Sequence, residues 1–263
     1  MESSRFKIDD GNSSEEGTLI RSLKLFLLIV AVATTAYAQT HSTTKIEEAG
    51  AGGTTVVPAS PVEEVRDNQS WEMGPFVNWG KGVGDRSDFN FLWGGLEIGK
   101  MVTPVLKAGI LSGQFQLAGN IMPLWQAYTP APHNQTFVFK GVTYTAPLGG
   151  GTYYGASITP VIFRWNFLTK SKRVQPWFQG AGGLIYTTHK FPPDVLVPHG
   201  TPGATSVWNF SPQGGIGIHY FLRSRRSIDL GVNAVHISSA SLGDHNPGVN
   251  ASIQIQAGYT FWR

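Results

Sequence analysis

The chain has 263 residues, room for one large all-β domain or two small ones. Only 14% of residues are charged, 12% are aromatic and 32 are glycine, a composition that argues against an ordinary soluble enzyme. The lack of cysteine excludes a disulfide framework and thiolate chemistry, and a scattered net charge of +3 makes no case for nucleic acid.

In chain order, the first element is "RSLKLFLLIVAVATTAYA" (21–38). Arg21 and Lys24 precede an apolar run from Leu25 to Ala33, and Ala-Tyr-Ala stands before Gln39. This is the n-region, h-region and cleavage pattern of a secretory signal peptide, and the run is too short to span a bilayer comfortably. We therefore expect a signal peptide with an extended n-region over 1–38. Roughly twenty polar residues precede Arg21, more than an n-region needs, so the start codon itself is open. Residues 39–70, rich in Thr, Gly, Ala and Glu, show no helical or strand period and are expected to form a flexible linker.

From Trp71 to Arg263 the pattern is alternation broken by Gly, Pro, Asn and Asp clusters. It predicts eight strands, near 71–80, 89–100, 113–126, 153–166, 174–187, 206–222, 227–239 and 248–263. In the last, Ile253, Ile255, Ala257, Tyr259 and Phe261 share one face, and Ser252, Gln254, Gln256, Gly258 and Thr260 the other. Small and polar residues on the second face, as in "WFQGAGGLIYTT" (177–188) and "SPQGGIGIHYFL" (211–222), could not fill a dry core. Aromatics gather towards strand ends, as a membrane-interface girdle requires. The expected fold is thus all-β, an eight-stranded antiparallel transmembrane β-barrel of the cell outer membrane, over 71–263. "AGG" at 181–183 reads as close backbone approach in the barrel wall.

Connections after odd strands (81–88, 127–152, 188–205, 240–247) include the long ones. Of those after even strands, "FLTKSKR" (167–173) and "RSRR" (223–226) are short and basic, whereas 101–112 is longer than a turn needs. Short turns face the periplasm in such barrels, so the seventh strand runs outward. On it Ile228, Leu230, Val232 and Ala234 have the parity of the lipid face, and the same parity reaches His236 and Ser238. Residues two apart on a strand lie on one face with Cα atoms about 6.6 Å apart. A histidine that takes the proton and a serine that attacks is the pairing an activated serine needs.

The stretch "HISSASLGDHNPGVN" (236–250) with its alternating final strand resembles the PagL-type lipid A 3-O-deacylases, outer-membrane barrels with the signature His-x-Ser-Asn-Ala-Gly…Asn-x-Gly-x-Glu. The resemblance implies His236 as base, Ser238 as nucleophile, and Ala240, Asn246 and Gly248 as the motif's Ala, Asn and Gly. It implies a site on the outside of the barrel, with lipid A of the outer leaflet as substrate and no cofactor or metal. The departures are Ser239 and Ser241 in place of Asn and Gly, and Asn250 in place of the acid. An Asn can accept the Nδ1–H bond of the histidine but supplies no charge. Ser-His-Asn is also the triad of outer-membrane phospholipase A, a twelve-stranded barrel, which makes a phospholipase the alternative. A structural barrel without activity is the other.

Asn250 shares the parity of Ser252 and Gln254, the lumen face, so it reaches His236 only through a bulge or from the loop. Asp244 is the loop's one carboxylate and a second candidate to orient His236, with His245 nearby. Backbone N–H groups after Ser238, or Asn246, would stabilise the oxyanion. Whether copies of the chain assemble into a homo-oligomer is not legible in the sequence.

Overall fold

A computed structural model describes residues 60–131, 133–139, 141–148, 150–192, 206–240, 242 and 250–263. The signal peptide expected over 1–38 and most of the linker expected over 39–70 lie outside the described residues.

Eight strands close into one antiparallel barrel: β1 (Trp71–Gly82), β2 (Asn90–Met101), β3 (Gly113–Tyr128), β6 (Thr152–Phe167), β7 (Val174–Phe191), β8 (Ser206–Arg223), β9 (Arg226–His236) and β10 (Ala251–Trp262). β4 (His133–Phe139) and β5 (Val142–Leu148) form a separate hairpin within the long connection 127–152, which the alternation did not predict as strands. Their pairing runs from His133↔Leu148 to Phe139↔Val142, and Gly141 has φ +78°, a conformation that favours glycine. The first and last strands meet along Glu72↔Trp262 to Gly82↔Ser252, and Trp71 and Arg263 exchange backbone hydrogen bonds of 2.6 and 2.8 Å at the seam. Closure gives each of the eight barrel strands a paired neighbour on both sides, which is what lets a sheet sit in hydrocarbon.

Every barrel strand has at least 11 residues, enough to cross a tilted bilayer path. The outward positions carry the apolar set: Leu96, Ile98, Phe163, Ile216, Leu230, Val232, Ile253 and Ile255 are all exposed. Trp79, Tyr154, Tyr186 and Trp208 are exposed towards the end where β9 finishes, here called the upper end, and Trp71 and Tyr220 towards the lower end. That is a lipid belt between two aromatic girdles.

The interior is layered. At the upper end Phe91, Trp93, Trp125, Tyr153 and Phe191 pack edge-to-face and stacked into an aromatic core, with Trp93 and Trp125 centroids 5.8 Å apart. Below it lies a polar layer. Arg164 on β6 bonds Glu72 at 2.8 Å and Glu97 at 2.6 Å, and its Nε donates to Gln179 at 2.9 Å. Gln179 donates to Asn233, and Asn233 to Gln256, so the network ties β1, β2, β6, β7, β9 and β10. The buried Arg164 cation survives inside a membrane protein because Glu72 and Glu97 meet it with opposite charge across the lumen.

The linker expected over 39–70 does not run to Trp71. Residues Pro61–Asp67 form a helix, α1, with Ser60 as N-cap: the Ser60 hydroxyl accepts from Glu63 N–H, and Glu63 accepts from Ser60 N–H at 2.8 Å. Seven residues are too few for a stable isolated helix, so α1 depends on what it packs against. Val62 and Val65 bury against Met101, Phe221 and Trp262 at the lower end, and Glu64 bonds Ser224 and Arg225 of the β8–β9 turn.

Candidate functional site

The upper end of β9 follows the expected parity. Odd positions 229 to 239 are buried, while Ile228, Leu230, Val232 and Ala234 are exposed, and His236 and Ser238 are half-exposed on that same outward side. β9 as a regular strand ends at His236, which pairs with Ala251 of β10. Beyond it β8 continues upward, and Ser238 is held by an isolated antiparallel bridge to Phe210. The alternation therefore survives past the strand end, and histidine and serine stay together on the surface that faces lipid.

The backbone turns sharply just after the serine. Ala240 has φ +49°, in the left-handed region, a strained setting for a residue with a Cβ. The turn brings Ala240 N–H to the Ser238 hydroxyl, which accepts from it at 3.1 Å. A backbone donor thus stands at the candidate nucleophile.

Asn250 does not join this pair. It is 2% exposed, in step with the inward Ser252 and Gln254, and neither polar atom of its carboxamide has a hydrogen-bond partner. Only its backbone takes part: its C=O accepts from Ile237 N–H at 2.8 Å, between His236 and Ser238. The bulge that would turn Asn250 outward is not formed, because β9–β10 pairing is regular from Ala251↔His236 onward. The expected contact between Asn250 and His236 is absent from this structure. Asp244, His245, Asn246 and Gly248 lie outside the described residues.

Next to His236 the outer surface dips into a shallow depression of about 380 Å³, lined by Pro212 and Gly214 of β8, Ala234 of β9 and Ala251 of β10, among others. Gly182 and Gly180 stand beside Pro212 and Gly214 in the β7–β8 register. A Cβ added at either would meet nothing within 4 Å, and one at Gly214 only the Gln179 carbonyl at 3.6 Å. Packing within the chain does not require these glycines. Of the "AGG" stretch, Gly183 does face close neighbours, with Ser211 Oγ 2.5 Å from an added Cβ, but Gly182 opens outward. Sequence reasoning missed the depression, because its lining comes from four strands, with Ala181 of β7 as well, and no one of them shows it. The available signal was the run of glycines on β7 and β8 where neighbouring outward positions carry Phe178 and Ile216.

The model of the family described as Lipid A 3-O-deacylase (PagL) matches residues 113–260. A search of curated protein sequences gave no match. Among solved structures, the chain is similar to the crystal structure of the outer membrane enzyme PagL, with 14% identity, TM-score 0.42, and 72% of this chain and 98% of that one covered. It is also similar to the outer membrane protein OprG from Pseudomonas aeruginosa, with 9% identity, TM-score 0.37 and coverage of 74% and 96%. A third similar structure is the outer membrane protein AlkL in DMPC bilayers, with 10% identity, TM-score 0.31 and coverage of 84% and 97%.

Proposed function

Because this chain belongs to the lipid A 3-O-deacylase (PagL) family, we propose that it hydrolyses the ester at the 3-position of lipid A in the outer leaflet, with Ser238 as nucleophile and His236 as general base. The observation that carries the proposal is the outward placement of both side chains at the upper end of β9, beside a depression floored by small residues. A soluble substrate would need neither feature. A lipid already packed against the barrel needs both.

In the reaction, His236 takes the hydroxyl proton as Ser238 Oγ attacks the ester carbonyl carbon. The tetrahedral oxyanion draws on the backbone N–H of Ala240, which already donates to Ser238, and on Asn246. The C–O bond to the sugar breaks, and the sugar hydroxyl leaves with the proton held by His236. Water, deprotonated by the same imidazole, then releases the fatty acid and restores Ser238. The departing acyl chain lies in the depression beside His236. Asn250 acts as a positioning residue, through the backbone bond that fixes Ile237 between the two catalytic groups.

A phospholipase is the second reading. Its support is the Asn at position 250, whose side chain points away from His236, and the barrel has eight strands rather than twelve. The test is mass spectrometry of lipid A from cells that express the wild type or Ser238→Ala. Loss of one ester-linked acyl chain with the wild type alone supports the proposal. Unchanged lipid A with both, the barrel being in the membrane, overturns it in favour of a phospholipase or a structural barrel.

A further inference from the structure

The lower rim of the barrel carries a charge cluster that the reaction does not use. The β6–β7 turn holds Lys170, Lys172 and Arg173, and the β8–β9 turn holds Arg223, Arg225 and Arg226. β7 and β8 are paired neighbours, with Val174 opposite Tyr220, so the two turns stand side by side. Neither turn contains an acidic residue. The acids that reach them come from α1: Glu64 bonds Arg225 at 2.7 Å, and Glu63 is near enough to Lys172 to feel its charge. Lys170, Lys172, Arg173 and Arg223 remain exposed.

Two observations place these cations at the level of lipid headgroups rather than in open solvent. Exposed apolar side chains adjoin them, with Leu168 on one turn and Tyr220 and Leu222 just above the other. Cations of this rim also lie over aromatic faces: Arg226 sits 4.4 Å from the Phe261 centroid and Lys100 5.2 Å from that of Trp71. Aromatics mark the membrane interface, and the guanidinium and ammonium groups just beyond them stand where lipid phosphates lie.

We infer that this rim is a binding surface for anionic phospholipid headgroups of the leaflet opposite the proposed active site. It is not a second contact for lipid A bound at His236. β9 runs from Arg226 at the rim to His236, ten steps or about 33 Å along the strand, which at the tilt of barrel strands spans the apolar band of about 25 Å. Basic side chains at a membrane surface attract anionic lipid, each enough to change a lipid's occupancy several-fold. The inference rests on the orientation in the proposed function, but lipid binding is read without catalysis.

The test uses the full chain purified in a neutral detergent with equimolar phosphatidylglycerol and phosphatidylethanolamine, and counts retained lipids by native mass spectrometry. Wild type and Ser238→Ala should both retain phosphatidylglycerol over phosphatidylethanolamine by roughly fivefold or more. The triple variant Lys170→Gln, Lys172→Gln, Arg223→Gln should lose that preference, and Lys81→Gln at the other end should keep it. Should the triple variant not fold, the wild-type preference must fall as sodium chloride rises. Equal retention of the two lipids, or a preference indifferent to both variant and salt, overturns the inference. So does displacement of the lipid by an equal concentration of inorganic phosphate, or by lipid A.

Discussion

Phe210 and Ser238 exchange both backbone hydrogen bonds: Phe210 N–H donates to the Ser238 carbonyl at 2.7 Å, and Ser238 N–H to the Phe210 carbonyl at 3.0 Å. Ser238 lies two residues beyond the end of β9, where a loop would leave it mobile. The taller β8 holds it instead, and with it the outward direction of its hydroxyl. Rigid placement of the proposed nucleophile is what a common His-x-Ser pair needs to act as a site.

Removing one of these bonds should therefore cost activity without unfolding the barrel. Phe210→Pro deletes the donor to Ser238 and is expected to lower kcat about 10²-fold, the scale of a small misplacement of reacting groups. Phe210→Ala keeps the backbone pair and should stay within about tenfold of wild type on the same scale. Equal activity of the two variants, both folded by heat-dependent gel mobility, would remove the bridge from the account.

His236 and Ser238 should behave as a unit. Each alanine variant is expected to lose about 10³-fold or more of the deacylation rate, and the double variant no more than either. Asn250→Ala, whose carboxamide is buried on the opposite face of the wall, should cost less than about tenfold, since only the backbone carbonyl positions Ile237. A loss at Asn250 as deep as at His236 would instead mean that Asn250 turns outward and orients the imidazole during turnover.

The depression can be filled without crowding the chain, because an added Cβ at the lining Gly214 meets only the Gln179 carbonyl at 3.6 Å, and one at Gly182, beside the lining Pro212, meets nothing within 4 Å. Gly182→Leu and Gly214→Leu should raise KM for a long-chain lipid substrate and leave hydrolysis of a short soluble ester near wild type. A parallel loss on both substrates would mean that the glycines serve the fold and not the acyl chain.

Docking of α1 should depend on acid. Hydrogen bonds from the Ser60 backbone and hydroxyl hold the Glu63 carboxyl below its usual 4.5, against a small opposing cost of burial. The Ser224 hydroxyl first, and then Arg225, hold Glu64 below 4.5 likewise. A depressed carboxylate stabilises the docked state above its unfolded value and loses that contribution as pH falls through the folded value. A spin label at Asp67→Cys should therefore be immobile at neutral pH and gain mobility below about 4.5, and Glu64→Gln should blunt the transition. An unchanged spectrum down to pH 3 would mean that Val62 and Val65 alone hold the helix.

How much of this was legible in the sequence depends on the range of the interaction. Ile228, Leu230, Val232 and Ala234 point outward because consecutive strand residues alternate, a local rule that needs no partner, and it carried correctly to His236 and Ser238. The same rule put Asn250 in step with the lumen, where the structure has it. Eight strands were countable because turn residues punctuate each one. The β4–β5 hairpin escaped notice because its seven-residue strands lie between Pro- and Gly-rich flanks that read as loop.

What α1 does could not be read from "PVEEVRD". Its two valines make a helix face only once Met101, Phe221 and Trp262 supply an apolar mouth from three distant strands. The depression beside His236 likewise exists only where Ala181, Pro212, Ala234 and Ala251 of four strands come together, and the rim only where two turns about fifty residues apart become neighbours. The sequence by itself determined the alternation, and with it the fold class and the outward face of the histidine and serine. Register between strands remote in the chain, set by closure of the barrel, decided everything that surrounds them, because side chains from different strands meet only after the backbone hydrogen bonds have aligned them.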